Sequence, residues 1–362
     1  MADFREYGIS SRILNKTKIL LNKVNNSWGE FVSFKMSRDK AKRIRKKVIP
    51  INGKKIVDSK QKKIIEEYCK NTFGSRTYWP WLAYYTELRG EFKEGWTPYD
   101  YYRFKILPEM NPEQYMRFSE VKAIDHTLFN ESIIEPLFFR SNGFYYDKDK
   151  IFKPKAEIEK MLDELDDEII IKPEDGRAGK HIVFENSKKL SLGKLPNNSN
   201  LIFHKVVKQH RVLNKLYPHS VNTFRVLTFI DNKGAINVKF IVLRFGQGGS
   251  RVDNASNGGG WVFINQDGRV EPKGYDAYGN YIGRKHPDTG TIYAELKLPF
   301  IDKVVTLCKN AHGSFPYTRI VGWDVFVDEQ GEPKLIEWNA NNPFFMAIEA
   351  HFGPFFNELT KD

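Results

Sequence analysis

Cysteine is scarce in this chain: Cys69 and Cys308 are its only two, and they form neither a CxxC pair nor a disulfide framework. A disulfide-stapled secreted scaffold is excluded, two structural thiols are the plain reading, and a reducing cytosol is the expected compartment. Long apolar runs are also missing. No stretch approaches the roughly 18 apolar residues of a spanning helix, and the opening Met-Ala-Asp-Phe-Arg-Glu has no signal-peptide apolar core. The expectation is a cytoplasmic protein, at most peripheral at the inner face of the membrane. No internal repeat and no long low-complexity segment interrupts the 362 residues.

With 41% hydrophobic and 28% charged residues, wholesale disorder is excluded, and the length suits about two or three domains. The net charge of +12 is unevenly spread, because residues 31–70 hold 14 Lys/Arg against 4 Asp/Glu. Apolar residues from Ile13 to Val32 form a rough helical stripe, and the basic run Arg38–Lys47 follows. Such a pair either rests on an anionic membrane surface or is a docked helix with a solvated basic face. No nucleic-acid module accompanies the charge, which argues against a nucleic-acid partner. Aromatics then crowd residues 78–104, from Tyr78 and Trp79 to Tyr102 and Phe104. Core packing is the default for them; a platform for sugar rings or a polyprenyl chain is the alternative. A helix is expected at about Lys155–Leu165, with Ile158, Met161, Leu162 and Leu165 on one face.

The chemistry-bearing residues lie further on. Ile169-Ile170-Ile171-Lys172-Pro173 reads as a buried strand, and Glu174-Asp175-Gly176-Arg177-Ala178-Gly179-Lys180-His181 as a glycine loop before the next strand. Such a loop lets backbone N–H groups approach phosphates, and Lys172 adds a point charge. It is neither a GxxxxGK[ST] nor a GxGxxG loop, and an ordinary hairpin turn fits as well. Leu201–Val207 is an apolar strand carrying His204 and Lys205, either an adenine slot or a plain core strand. Alternation places Thr223 and Arg225 on one strand face, and Arg244 can sit beside Arg225 on a neighbouring strand. Two guanidinium groups there would grip carboxylate or phosphate oxygens, or face solvent on an open sheet. The loop from Gly246 to Gly260, with Arg251, Asp253, Asn254 and Asn257, offers backbone contact with a ligand, a mobile lid, or a flexible connection.

Residues Ile320–Phe345 parse as a hairpin, Val321–Val327 and Lys334–Trp338 around Asp328–Pro333. Asp324, Glu337 and Asn339 can converge on it. Three oxygen-bearing side chains suit Mg²⁺ bridging nucleotide phosphates, while solvated surface acids are the plain alternative.

Lys172 before a glycine-rich hairpin, the strand at 201–207, and Asp324 followed by Glu337-x-Asn339 occur in an order that resembles the ATP-grasp superfamily. Asn222-Thr-Phe-Arg225, Arg244, Asp253-Asn254…Asn257-Gly-Gly and Gly322-Trp-Asp324…Ile336-Glu337-x-Asn339…Asn342-Pro343 resemble its sugar-transfer-associated family, related to α-L-glutamate ligases, over about residues 95–356. The resemblance implies an α+β ATP-grasp fold in which two α+β subdomains clamp ATP, with a mainly helical, basic N-terminal extension. The expected divisions are 1–105 for that extension, 106–165 for the N-terminal lobe of the core, 166–208 for the small lid subdomain, and 209–362 for the large subdomain with the metal site.

It also implies roles. Lys172 would contact ATP phosphates under the loop bearing Asp175, Gly176, Gly179 and Lys180, and His204, Lys205, Val206 and Val207 would line the adenine. Arg225 and Arg244, with Lys172, would be catalytic, meeting the γ-phosphate or a substrate carboxylate. Asn222, Arg251, Asn254, Asn257, Asn341 and Asn342 would join those arginines on the substrate side. Asp324, Glu337 and Asn339 would hold Mg²⁺. Where relatives show an Asp-Lys pair the chain has Asp125-His126, leaving Lys122 or His126 for the lysine's role. The implied activity is amide formation through an acylphosphate, with ATP, Mg²⁺ and a sugar-acid or amino-acid substrate, glycan-linked, in surface polysaccharide biosynthesis. A kinase using the same clamp, or a non-catalytic membrane- or polyanion-binding protein, are the alternatives.

Overall fold

The computed structural model describes residues 29, 31–49, 54–174, 182–196, 199–253, 258–265, 267–344 and 346–356. The chain divides into two compact units, Met1–Leu107 with Glu349–Asp362, and Pro108–Ile348.

The first unit is helical. A helix over 31–45 is followed by Ser59–Phe73 and Trp79–Arg89, the former capped by the Asp58 carboxylate accepting from the Gln61 N–H. Its aromatics are core: Trp81, Tyr84, Tyr85, Trp96 and Tyr102 are all fully buried, so the platform reading of 78–104 gives way to packing. Two ion pairs fasten the first helix. Arg45 donates through Nε and Nη2 to Glu87 Oε1 at 3.1 and 2.7 Å, and Arg38 donates to Asp100 at 3.3 Å. Burial pushes the Asp100 carboxyl up to about 7 despite Arg38. The helical stripe expected before residue 29 lies outside the described residues.

The second unit carries two antiparallel sheets. The smaller has six strands: β1 Phe138–Ser141, β2 Phe144–Asp147, β3 Phe152–Lys153, β4 Glu168–Pro173, β5 Val183–Asn186 and β6 Leu201–Lys205, in the order β3-β2-β1-β6-β4-β5. It therefore starts at Phe138, well before the expected 166, because β1 pairs with β6 about sixty residues later in the chain. One face, with Phe138, Ile169, Ile171, Leu201 and Phe203, packs on the helix Lys155–Leu165 through Ile158 and Leu162. Strand alternation turns Phe139, Lys172, Ile202 and His204 to the other face.

The larger sheet has seven strands: β7 Thr223–Ile230, β8 Ile236–Phe245, β9 Gly260–Ile264, β10 Val270–Tyr275, β11 Tyr281–Gly283, β12 Ile320–Val327 and β13 Pro333–Asn339, ordered β11-β10-β9-β8-β7-β12-β13. β12 is buried along its whole length, as a central strand must be. A directional chain of hydrogen bonds ties the sheet to the helix Ile301–Ser314. Trp323 Nε1 donates to Thr228 Oγ1, the Thr228 hydroxyl donates to His312 Nδ1, and His312 Nε2 donates to the Thr318 carbonyl, each at 2.7 Å. Burial pulls the His312 imidazolium down to about 4, so the ring is neutral, as this chain of donors requires. Among the described residues no helix is long and apolar enough to cross a membrane.

Candidate functional site

The β12–β13 hairpin forms as its sequence suggests, turning at Asp328–Glu332. Its register places Asp324 directly opposite Glu337 and Gly322 opposite Asn339, and on the other side β12 places Asp324 opposite Arg225 of β7. Glu337, Asp324 and Arg225 thus share one cross-strand row. Thr223, two residues before Arg225, pairs with Arg244 of β8, which brings the second arginine to the same face. The chain returning from β13 lies close over β12: a Cβ at Gly322 would sit 2.0 Å from the Pro343 carbonyl oxygen, so only glycine fits.

Both arginines turn to Asp324. Arg225 donates from Nε to Oδ1 at 2.5 Å and from Nη2 to Oδ2 at 3.0 Å, and its Nη1 donates to the Pro343 carbonyl at 3.1 Å. Arg244 Nη2 is 3.1 Å from Asp324 Oδ2, and its Nε is 3.4 Å from Asp253. Arg244 Nε and Nη2 also donate to Thr223 Oγ1 at 2.9 and 2.7 Å, and the Thr223 hydroxyl donates to Asp253. Burial pushes the Asp324 carboxyl up, but Arg225 and Arg244 together overcome it and hold the group well below the usual carboxylate range. Glu337 moves the other way, raised by burial and then by the neighbouring Asp324 charge, with Lys122 Nζ at 3.6 Å opposing the rise.

Beside this row a small cavity opens between β13 and the smaller sheet. Lys122, Lys172, His204 and Glu337 give it polar walls, and Phe139, Ile202 and Ile336 give it apolar ones. Burial pulls the Lys172 ammonium down to about 8, with Glu337 opposing and Lys122 adding to the fall. Burial and the Lys172 charge pull the His204 imidazolium down to about 3, so its ring is neutral, with Nδ1 3.3 Å from the Glu135 carbonyl. Asp125 is buried beneath this wall, accepts from Trp338 Nε1 at 2.9 Å, and is pushed well above the usual carboxylate range by burial.

The structure brings together Lys172, His204, Asp324, Glu337, Arg225 and Arg244. Lys205 on β6 is exposed, and Val206 and Val207 follow it half-buried. Other expected residues stand elsewhere. Asn222 is fully buried, its amide donating to Gln209 Oε1, Leu213 O and Tyr217 O at 3.0, 2.9 and 2.8 Å, so it braces the chain before β7 instead of facing a substrate. Arg251 is drawn to Glu168 and Asn341 donates to Glu120, while Asn342 is exposed. Asp175, Gly176, Gly179, Lys180, Asn254 and Asn257 lie outside the described residues. Local sequence gives no site role to Asp253, to Thr223, or to the apolar wall of Phe139, Ile202 and Ile336, which the structure adds to this region. Of the two replacements weighed for the lysine, Lys122 is the one paired with Glu337.

Residues 186–353 match the family model described as sugar-transfer associated ATP-grasp. Over that stretch, a little under half of the chain, it is similar to the sugar-transfer-associated family of the ATP-grasp superfamily. Among solved structures it is similar to D-alanine–D-alanine ligase from Bacillus anthracis, with 14% identity and a TM-score of 0.36, covering 64% of this chain and 59% of that one. It is similar also to the ATP-grasp ligase PsnB complexed with a minimal precursor, with 14% identity and a TM-score of 0.37, covering 66% and 58%. N5-carboxyaminoimidazole ribonucleotide synthetase from Thermotoga maritima gives 11% identity and 0.37, covering 64% and 44%. The chain thus covers less than two thirds of each of these. No curated protein matches it.

Proposed function

We propose that the chain is a Mg-ATP-dependent carboxylate–amine ligase that works through an acylphosphate and joins an amino acid or amino compound to a sugar acid in surface polysaccharide biosynthesis. The observation that carries this reading is the cleft itself: two acids directly opposed on a hairpin, one of which, Glu337, lines a cavity that also bears Lys172 and Lys122.

The residues fit a small hard cation. Asp324 and Glu337 stand directly opposite one another and the Asp324 charge raises the Glu337 carboxyl, a repulsion that a divalent ion between them would relieve. The Asn339 amide nitrogen is buried with no hydrogen-bond partner among the described residues, and since amide oxygen and nitrogen exchange by a simple flip, the same side chain can present oxygen. Mg²⁺, when bound by Asp324, Glu337 and Asn339, supplies neutralisation of phosphate charge.

In this reading Lys172 and Lys122 meet the phosphates, and the apolar wall with His204 takes the base. A substrate carboxylate oxygen attacks the γ-phosphorus in line, the bond to the bridging oxygen breaks, and ADP departs. The amine then attacks the acyl carbon, phosphate leaves, and the amine proton passes to solvent. Arg225 and Arg244 act by fixing Asp324, which leaves the lysines as the cations for transferred charge.

The test is a phosphate-release screen with ATP, Mg²⁺ and pairs of uronic acids and amino acids, read by mass spectrometry. A new amide is expected. A phosphorylated final product without an amide would replace the ligase with a kinase, and absence of magnesium-dependent turnover with every pair would remove the enzyme reading.

A further inference from the structure

Arg251 does something no site role anticipated. Glu168 and Lys172 share a face of β4, and Phe184 of β5 lies opposite Ile170 of that same face. Arg251, carried by the glycine-rich loop after β8, reaches this face. Its Nη1 and Nη2 donate to Glu168 Oε1 and Oε2 at 2.9 and 2.6 Å, and its guanidinium lies 3.8 Å from the Phe184 ring centroid. The two side chains are 47% and 42% exposed; an ordinary ion pair so placed is weak, but paired donors and a ring beneath the cation add direction and strength.

The loop is held on both sides of Arg251. Before it, the Tyr217 hydroxyl donates to Ser250 O at 3.1 Å and the Gly248 N–H donates to Asp288 at 2.6 Å. Two residues after it, Asp253 accepts from the Thr223 hydroxyl beside Arg244, whose other nitrogen is on Asp324. Three consecutive residues therefore connect the smaller sheet to the acids of the larger one.

We propose that Arg251 is a positioning residue that clasps the glycine-rich loop to the smaller sheet across the cleft, so that closing the cleft and seating Asp253 against Arg244 are one event. In the ligase reading, on which this consequence rests, the clasp keeps water from the acylphosphate.

Hydrogen exchange at amides 246–253 of the full chain, with a non-hydrolysable ATP analogue and Mg²⁺, tests the clasp without turnover. Glu168→Arg and Arg251→Glu should each speed exchange there about five- to tenfold, the scale of a bidentate pair with a cation–π contact, and the double swap should restore it. Wild-type exchange in both single variants, or a swap that restores nothing, overturns the proposal. The second readout is phosphate released per amide formed, expected to rise severalfold in each single variant and to fall back in the swap; an unchanged ratio removes the water-exclusion role. If the wild-type chain forms no amide with any acceptor, the ligase reading fails while the exchange result still decides the clasp.

Discussion

Removing Arg225 tests whether the core of the site is a desolvated ion pair. Arg225 is 7% exposed and Asp324 1%, and two parallel N–H···O bonds join them. Breaking a buried pair by deleting one partner costs about 3–5 kcal/mol, because the remaining charge is stranded. Arg244 remains 3.1 Å from Asp324, which places Arg225→Ala at the lower end, near 3 kcal/mol. For a unit of this size each kcal/mol moves the melting midpoint by about 2–4 °C, so a fall of about 6–12 °C is expected in differential scanning fluorimetry. The pH dependence has a definite sign. The folded Asp324 carboxyl titrates below its unfolded value of about 3.9, so its contribution is complete above that value and is lost as pH falls below it. Arg225→Ala should therefore flatten the acid limb of the stability profile. Replacing both partners, Arg225→Leu with Asp324→Leu, should recover at least half of the lost melting temperature, since apolar residues can replace a buried pair at little cost, yet abolish magnesium-dependent turnover. A single variant that melts within about 2 °C of wild type, or a double variant less stable than the single, would refute the reasoning.

Other outcomes follow from the same geometry. In the free protein the Lys172 ammonium titrates at about 8, so nucleotide affinity measured by calorimetry should weaken as pH rises through that value, and Lys172→Met should remove the dependence; a flat profile in wild type would contradict the assignment. Gly322→Ala drives a methyl into the Pro343 carbonyl and should destabilise the unit by about 1–3 kcal/mol in urea, whereas an unchanged midpoint would mean that the chain after β13 yields freely. Thr228→Val deprives Trp323 Nε1 of its acceptor and His312 Nδ1 of its donor. A loss of about 2–4 kcal/mol is expected, with the tryptophan fluorescence maximum shifted, and a neutral effect would show that other groups satisfy both.

Much of this was legible from local pattern. Turn chemistry at Asp328–Pro333 and alternation through Glu337 and Asn339 located the hairpin, and Arg225 and Arg244 were placed on neighbouring strands with Thr223 on the shared face. Local pattern failed where the deciding partner was remote. Arg225 reads as an anion clamp until Asp324, ninety-nine positions away, takes its Nε and Nη2 donors. Asn222 reads as a ligand residue because nothing nearby announces that Gln209 and two backbone carbonyls will claim its amide. Lys122 sits in short 3₁₀ turns that have no periodicity to read. The pairing of β1 with β6 spans a long sequence separation, which no local pattern announces.

One irregularity in the hairpin has a wider consequence. Pairing runs Asp324 with Glu337 but Val325 with Leu335, so Ile336 is an extra residue, a β-bulge. It resets the alternation midway along β13. Leu335 pairs with the buried valine face of β12, Glu337 joins Asp324, and both Ile336 and Glu337 line the cavity, which consecutive residues of a regular strand do not do. One strand thus serves two surfaces, anchoring the sheet with its first half and furnishing the cleft with its second. Deleting Ile336 would leave the pairing on either side intact and Glu337 still opposite Asp324, while erasing an apolar wall of the cavity. The shape of the cavity can therefore change by a single inserted or lost residue without disturbing the acids or the sheet.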